Sequence, residues 1–377
     1  MSLSSLPAEL IDAICEPLVG EAATLASLAR SCIAVHPSAT RMLYRVLSVS
    51  AFARNLPVVC TLAARPDLAQ HVREFSITLD ESGTVLRAFY AQLQNALRLM
   101  PQLASLELLV DSGASWVLPT FSDSAVLPRL EHLSCSFPLD THVSDFLARA
   151  PALHSLHMLE PALPSTQTLP ATHVPLLKSY TGPASLLPML SSRPLTTIHL
   201  CGDLRIEDIP HSVGAPEVGE PEAGSESKFY PNLVPRNPGY DGDKPARANV
   251  QVLSAMTSAP PAPVLEALAL AYPELVCLRL MTTYAFWETP DITLYTRIAS
   301  TLASLRDLAV FELSGMHWEA RPKAADPLSS KASSTEKEWV SPPVTPRAVD
   351  FLAEPEANAD PQNLELGFGE AFLDWSY

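Results

Sequence analysis

The chain has 377 residues, 47% of them hydrophobic, which is enough apolar surface for a sizeable core and excludes a globally disordered polymer. Its net charge is −16, and beyond residue 200 only 13 Lys and Arg stand against 26 Asp and Glu. That excludes nucleic acid as a partner, because phosphate binding needs clustered Lys and Arg. Thirty-six prolines against thirteen glycines predict frequent ends to helices and strands. The six cysteines are scattered without a C-x-x-C pair, a pattern of reduced thiols rather than disulfides or a zinc site. No apolar run approaches the roughly 20 residues of a membrane span, and the expected location is cytoplasmic or nuclear.

From the N-terminus, residues 6–47 read as three short helices. Leu6, Leu10, Ile14 and Leu18 recur every fourth position, with Ser4 or Ser5 as candidate cap, Pro7 in the first turn and Gly20 at the end. Glu9, Asp12 and Glu16 interrupt the apolar positions, so this is an amphipathic helix and not a signal peptide. Thr24 precedes the second helix, with Leu25, Leu28 and Cys32. Pro37 opens the third, with Ala39, Met42, Leu43 and Val46.

An internal repeat follows. The octet P-x-L-x-x-L-x-L occurs as PQLASLEL (101–108), PRLEHLSC (128–135), PALHSLHM (151–158), PLLKSYTG (175–182) and PELVCLRL (273–280), with weaker copies at 70–77, 193–200 and 303–310. The copies lie 18 to 31 residues apart, except for one gap of 80 before the copy at 273. In x-L-x-L, alternate side chains point to opposite faces of a strand, so the leucines face a core and their neighbours face solvent. Helical spacing precedes several octets: Leu86 to Met100, Val143 to Ala150 with Asp140 or Thr141 as cap, Val264 to Leu268, and Ile292 to Leu302. Helix, proline and strand in repetition predict an α/β solenoid with a parallel sheet.

Two Pro-, Gly- and Glu-rich stretches break the pattern. Residues 211–262 read as a flexible acidic insertion, and 319–377 as a low-complexity tail with a terminal cap strand at 363–377. The repeats therefore divide into 66–210 and 263–318.

No G-x-S-x-G, G-x-x-x-x-G-K, H-E-x-x-H or G-x-G-x-x-G motif occurs, so the sequence assigns no catalytic residue, cofactor or metal. His157 and His199 occupy equivalent octet positions with one strand between them. Two rungs span about 9–10 Å, too far for one zinc ion whose ligands stand about 2 Å away. The solvent side of the octets, with Ser105, Glu107, Leu109, His132, Ser134, Ser136, Ser155, His157, Leu159, Thr197, His199, Cys201, Cys277, Arg279, Met281, Asp307, Ala309 and Phe311, forms the expected binding face. Glu107, His157, His199 and Arg279 are its candidate target-binding residues, expected on adjacent rungs.

The N-terminal segment also carries a resemblance. LPAELIDAICEPL, LASLARSC and a helix ending in MLYRVL, over residues 4–48, resemble the F-box module of fungal F-box proteins, and leucine-rich repeats directly behind that module recur in the family. The resemblance implies a substrate-recognition subunit of a Skp–cullin–F-box ubiquitin ligase. A Skp-type adaptor, and through it the cullin core, would be held at Leu6, Pro7, Leu10, Ile14, Leu18, Leu25 and Leu28, and a protein target by the repeats. Many members carry a Trp after the second helix, whereas Ser31–Pro37 has none. A leucine-rich-repeat scaffold with a degenerate F-box and no ligase role is the alternative.

Overall fold

A computed structural model describes residues 6–79, 86–119, 127–159, 169–210, 249–283, 292–322 and 337–340. Three helices come first: α1 (Ala8–Cys15), α2 (Ala22–Ser31) and α3 (His36–Leu43). They enclose a core of their own made by Ile11, Cys15, Leu25, Val35 and Ala39. Two ion pairs reach back to α1 and its C-cap, Arg41 to Asp12 at 2.7 Å and Arg45 to Glu16 at 3.7 Å. The predicted caps Ser4 and Ser5 lie outside the described residues; Pro7 occupies the cap position.

The remainder is a mixed α/β arrangement around one mostly parallel sheet. Its strands are β1 (Val46–Ser50), β2 (Glu74–Thr78), β3 (Ser105–Leu109), β4 (His132–Cys135), β5 (Ser155–Met158), β6 (Ser179–Pro183), β7 (Thr197–Asp203), β8 (Val252–Thr257), β9 (Cys277–Thr282), β10 (Val310–Leu313), β11 (Met316–Pro322) and β12 (Lys337–Val340). Among the described residues the sheet has 12 strands, whose spatial order is their order in the chain. Pairing is parallel from β1 to β10 and antiparallel from β10 to β12. Parallel neighbours need crossovers, and helices supply several of them. These are α4 (Pro57–Ala64) with α5 (Pro66–Ala69), α6 (Arg87–Arg98), α7 (Thr141–Leu147), α8 (Leu187–Leu190), α9 (Pro261–Ala271) and α10 (Ile292–Ser304).

The octet explains why this register holds. Its leucines point inward, and one continuous cluster joins Leu106, Leu108, Leu133, Leu156, Ile198, Leu253, Leu278 and Phe311 with Leu93, Phe146 and Leu265 from the helices. At each parallel junction the carbonyl immediately before one strand accepts two consecutive N–H groups from the next rung. Ala104 O takes Glu131 and His132, and the pattern repeats at His154, Lys178, Thr196, Gln251 and Val276. Asp140 caps α7 as its sequence implies, its Oδ1 accepting from Val143 N at 2.9 Å. Asn55 covers the outer side of β1: its amide donates to Ser48 O at 2.7 Å and accepts from Ser50 N at 2.9 Å. It occupies hydrogen-bonding groups that an unpaired edge would otherwise present to another strand.

Several sequence expectations change. The parallel sheet begins at Val46, inside the span assigned to the N-terminal module, because α3 ends at Leu43 and Tyr44, Leu47 and Val49 supply an octet without proline or leucine at its start. Of the supposed insertion, residues 211–248 lie outside the described residues, but 249–262 hold β8 and the start of α9. Val250, Leu253 and Ala255 are its buried anchors. The tail from 319 likewise contributes β11 and β12, while the expected cap strand at 363–377 lies outside the described residues. The last octet is RDLAVFEL (306–313), three residues later than 303–310, since Phe311 pairs in register with Leu278. Phe311 is therefore 1% exposed and stacked on Trp318, not on the solvent face. Leu86 stands at the N-cap of α6, exposed rather than on its apolar stripe.

Candidate functional site

Two surfaces follow from these elements. The first is on α1. Ile11 and Cys15 face the three-helix core, so Leu10 and Ile14, one position earlier on a helix of 3.6 residues per turn, turn away from it. Leu10 is 52% exposed and Ile14 44%, with exposed Pro7 and half-buried Leu6 beside them in the chain. Of the other residues named for adaptor binding, Leu18 and Leu28 are half-buried against the module core. Leu25 is 1% exposed and sits inside that core, so its side chain offers no surface to a partner. The sequence period did not separate the two faces because α1 is apolar on both.

The second surface is the side of the sheet opposite the leucines. Register places the central outward residue of each strand in one line: Glu107, Ser134, His157, Thr181, His199, Ser254, Arg279 and Glu312, from β3 to β10. Ser76 of β2 and Ser48 of β1 extend it at one end. The four predicted target-binding residues all belong to this line, but on alternate rungs, not adjacent ones. Ser134, Thr181 and Ser254 stand between them. Thr181, Ser254 and Glu312 went unnoticed because their octets lack the second leucine of x-L-x-L or were read out of phase. The signal for each is the residue between two inward ones, as in Tyr180-Thr181-Gly182 and Phe311-Glu312-Leu313.

The line is polar and nearly balanced in charge. Arg279 Nε lies 3.4 Å from Glu312 Oε2, and the two side chains are only 14% and 19% exposed. Ser134 Oγ stands 3.2 Å from His157 Nδ1. Burial lowers the pKa of His157, with the Glu107 carboxylate opposing the shift. His199 is lowered by burial and further by the Arg279 charge. Both imidazoles are therefore held toward the neutral form. Burial also raises the thiols of Cys201 and Cys277 and takes Cys135 up to about 12, so none is an activated nucleophile.

Glu107 lies beyond Ser134 from His157, so the order is acid, hydroxyl, imidazole rather than the hydroxyl, imidazole, acid of a nucleophilic relay. Among the described residues no group of three His, Cys, Asp or Glu side chains could hold a metal ion, and no helix is long and apolar enough to cross a membrane. Cys277 is buried, unlike the other outward residues expected on β9. Leu159 is 46% exposed at the end of β5. No protein-family model matches the sequence, and no curated protein does.

Proposed function

We propose that this chain is the substrate-recognition subunit of a Skp–cullin–F-box ubiquitin ligase. In this reading α1–α3 form an F-box-like module that docks on a Skp-type adaptor, and the sheet and its helices form a leucine-rich-repeat domain that binds a protein target along the polar line. The observation that carries it is the double apolar character of α1. A unit of some forty residues already has a core in Ile11, Cys15, Leu25, Val35 and Ala39, yet keeps Leu10 and Ile14 turned to solvent on the segment that resembles an F-box. So small a unit gains stability from a partner that covers such a stripe. The residues proposed for adaptor contact are accordingly Leu6, Pro7, Leu10, Ile14, Leu18 and Leu28.

The chemistry then happens on other subunits. This chain holds a target near the charged conjugating enzyme, and proximity converts a bimolecular transfer into an effectively intramolecular one. The test is co-expression with a Skp-type adaptor and the cullin core, followed by purification on this chain. Recovery of the adaptor with the wild type and its loss with Leu10→Asp plus Ile14→Asp supports the reading. Recovery with neither leaves the scaffold alternative, in which the line of outward residues binds a target and no ligase is recruited.

A further inference from the structure

Between β5 and β6 the sheet lacks the helix that covers its neighbours. α7 precedes β5 and α8 precedes β7, but among the described residues no helix lies between β5 and β6. Residues 169–174 run there as turns and bends, and their carbonyls need donors that a helix would have supplied. Arg193, just beyond α8, supplies them. Its Nη2 donates to Pro170 O at 2.6 Å and to Leu169 O and His173 O at 3.4 Å. Its Nε also donates to His173 O at 3.4 Å, and its Nη1 donates to Met189 O and, at 3.2 Å, to Ser192 Oγ. Arg193 is 1% exposed. Each of these acceptors is a neutral oxygen, so dipoles alone hold the buried guanidinium charge.

We infer that residues 169–174 form an acid-released latch: a proton taken up by His173 sets it against the Arg193 guanidinium and frees the segment from the apolar face it covers, while the rest of the sheet stays closed. The latch is independent of what the outward line binds. Three features load it. Val174 is held at φ +46°, a left-handed backbone that a β-branched residue rarely adopts, while its side chain is buried. Leu169 closes a void of about 10 Å³ together with Leu139, Leu147, Leu156 and Met158, so release of the segment uncovers aliphatic surface. His173 Nδ1 is buried and has no hydrogen-bond partner. A neutral ring can present a lone pair there, but an imidazolium carries a hydrogen on both nitrogens, and the one on Nδ1 meets no acceptor.

The surrounding charges set the sign. The segment has no other ionisable side chain, and α8 has none. Of the two on α7, His142 and Asp145, only Asp145 acts on His173. Burial and then the Arg193 charge lower the pKa of His173 in the closed segment, and Asp145 opposes them without cancelling them. The open segment, with an imidazole near its ordinary value of about 6.5, therefore takes up the proton first. Closure is fully stable above that value and weakens as pH falls below it. Opening of one such unit ahead of the whole fold is local unfolding.

The experiment is hydrogen–deuterium exchange with mass spectrometry on the full chain at pH 7.5 and pH 5, corrected for the pH dependence of the intrinsic exchange rate. Protection of peptides over residues 169–178 should fall by about threefold or more at pH 5, while peptides over β3 and β9 keep theirs. His173→Gln, which cannot take up the proton, should abolish that fall and stay protected at both pH values. Arg193→Met should leave the segment unprotected at both, with β3 and β9 still protected and no further loss on acidification. Should Arg193→Met fail to fold, the comparison of wild type with His173→Gln decides alone. An equal fall in His173→Gln, a fall shared evenly with β3 and β9, or no fall in the wild type overturns the inference.

Discussion

Reversing one charge on the outward line tests the register of the sheet where the sequence was read out of phase. Arg279 Nε and Glu312 Oε2 are 3.4 Å apart on β9 and β10, with side chains 14% and 19% exposed. At an effective dielectric of about 20 that separation corresponds to about 5 kcal/mol of gross attraction, before desolvation and screening reduce it. A net coupling of about 1–2 kcal/mol is the reasonable expectation for a pair buried to this degree. Arg279→Glu replaces attraction by repulsion between two carboxylates and should lower stability by about 2–3 kcal/mol. The charge-swapped double variant, Arg279→Glu with Glu312→Arg, should recover to within about 1 kcal/mol of the wild type. Urea unfolding followed by circular dichroism reads both. If the reversal leaves the midpoint unchanged, or the swap is no better than the single variant, the two residues do not face each other and the corrected phase of the last octet is wrong. For the same reason Arg279→Gln, not Arg279→Glu, is the variant to combine with Glu107→Arg, His157→Ala and His199→Ala when target binding is assayed apart from stability.

Phe311→Ala should cost about 3–5 kcal/mol, as a large side chain lost from a full core, whereas exposed Ala309→Ser should shift the urea midpoint little. Gly182→Ala should destabilise by about 1–3 kcal/mol, because an added Cβ would stand 2.9 Å from the carbonyl oxygen of Met158 and 2.7 Å from the Tyr180 hydroxyl. His157 and His199 titrate below their ordinary range in the folded chain, so the unfolded chain binds more protons as pH falls through about 6.5, and stability falls with it. The urea midpoint should be lower at pH 5.5 than at 7.5, and His157→Gln with His199→Gln should flatten that difference; an unchanged slope would mean other groups carry it.

The sequence revealed the repeat wherever proline and two leucines mark it. Leu106 with Leu108, and Leu278 with Leu280, are inward, and the helices before residues 101, 151, 273 and 305 are present with Asp140 as a cap. It failed where the same physics is written in other residues. At β8 the inward anchors are Val250, Leu253 and Ala255, apolar enough to bury but not a leucine pattern, and the Pro- and Glu-rich neighbourhood concealed them. At β10, Leu305, Leu308 and Leu313 all fit an octet in one of two phases, and only pairing with β9 selects Phe311 as the inward residue. Within the three-helix module, periodicity showed that Leu10, Ile14 and Leu25 lie on apolar stripes. It could not show that Leu25 is enclosed while Leu10 and Ile14 are open, because that depends on how α2 and α3 pack.

The central claim concerns what covers the open stripe of α1, and the direct measurement is a calorimetric titration of the purified full chain with a Skp-type adaptor. Leu10 and Ile14 are about half exposed. Completing the burial of both should contribute about 2 kcal/mol, a factor of about thirty in affinity. Leu10→Asp with Ile14→Asp removes that contribution and puts two carboxylates against an apolar partner, so affinity should fall by a hundredfold or more. The urea midpoint should remain that of the wild type, since neither side chain belongs to the module core. Saturable binding by the wild type that the double variant loses is the predicted result; no heat with the wild type, or equal affinity for both, would contradict the account.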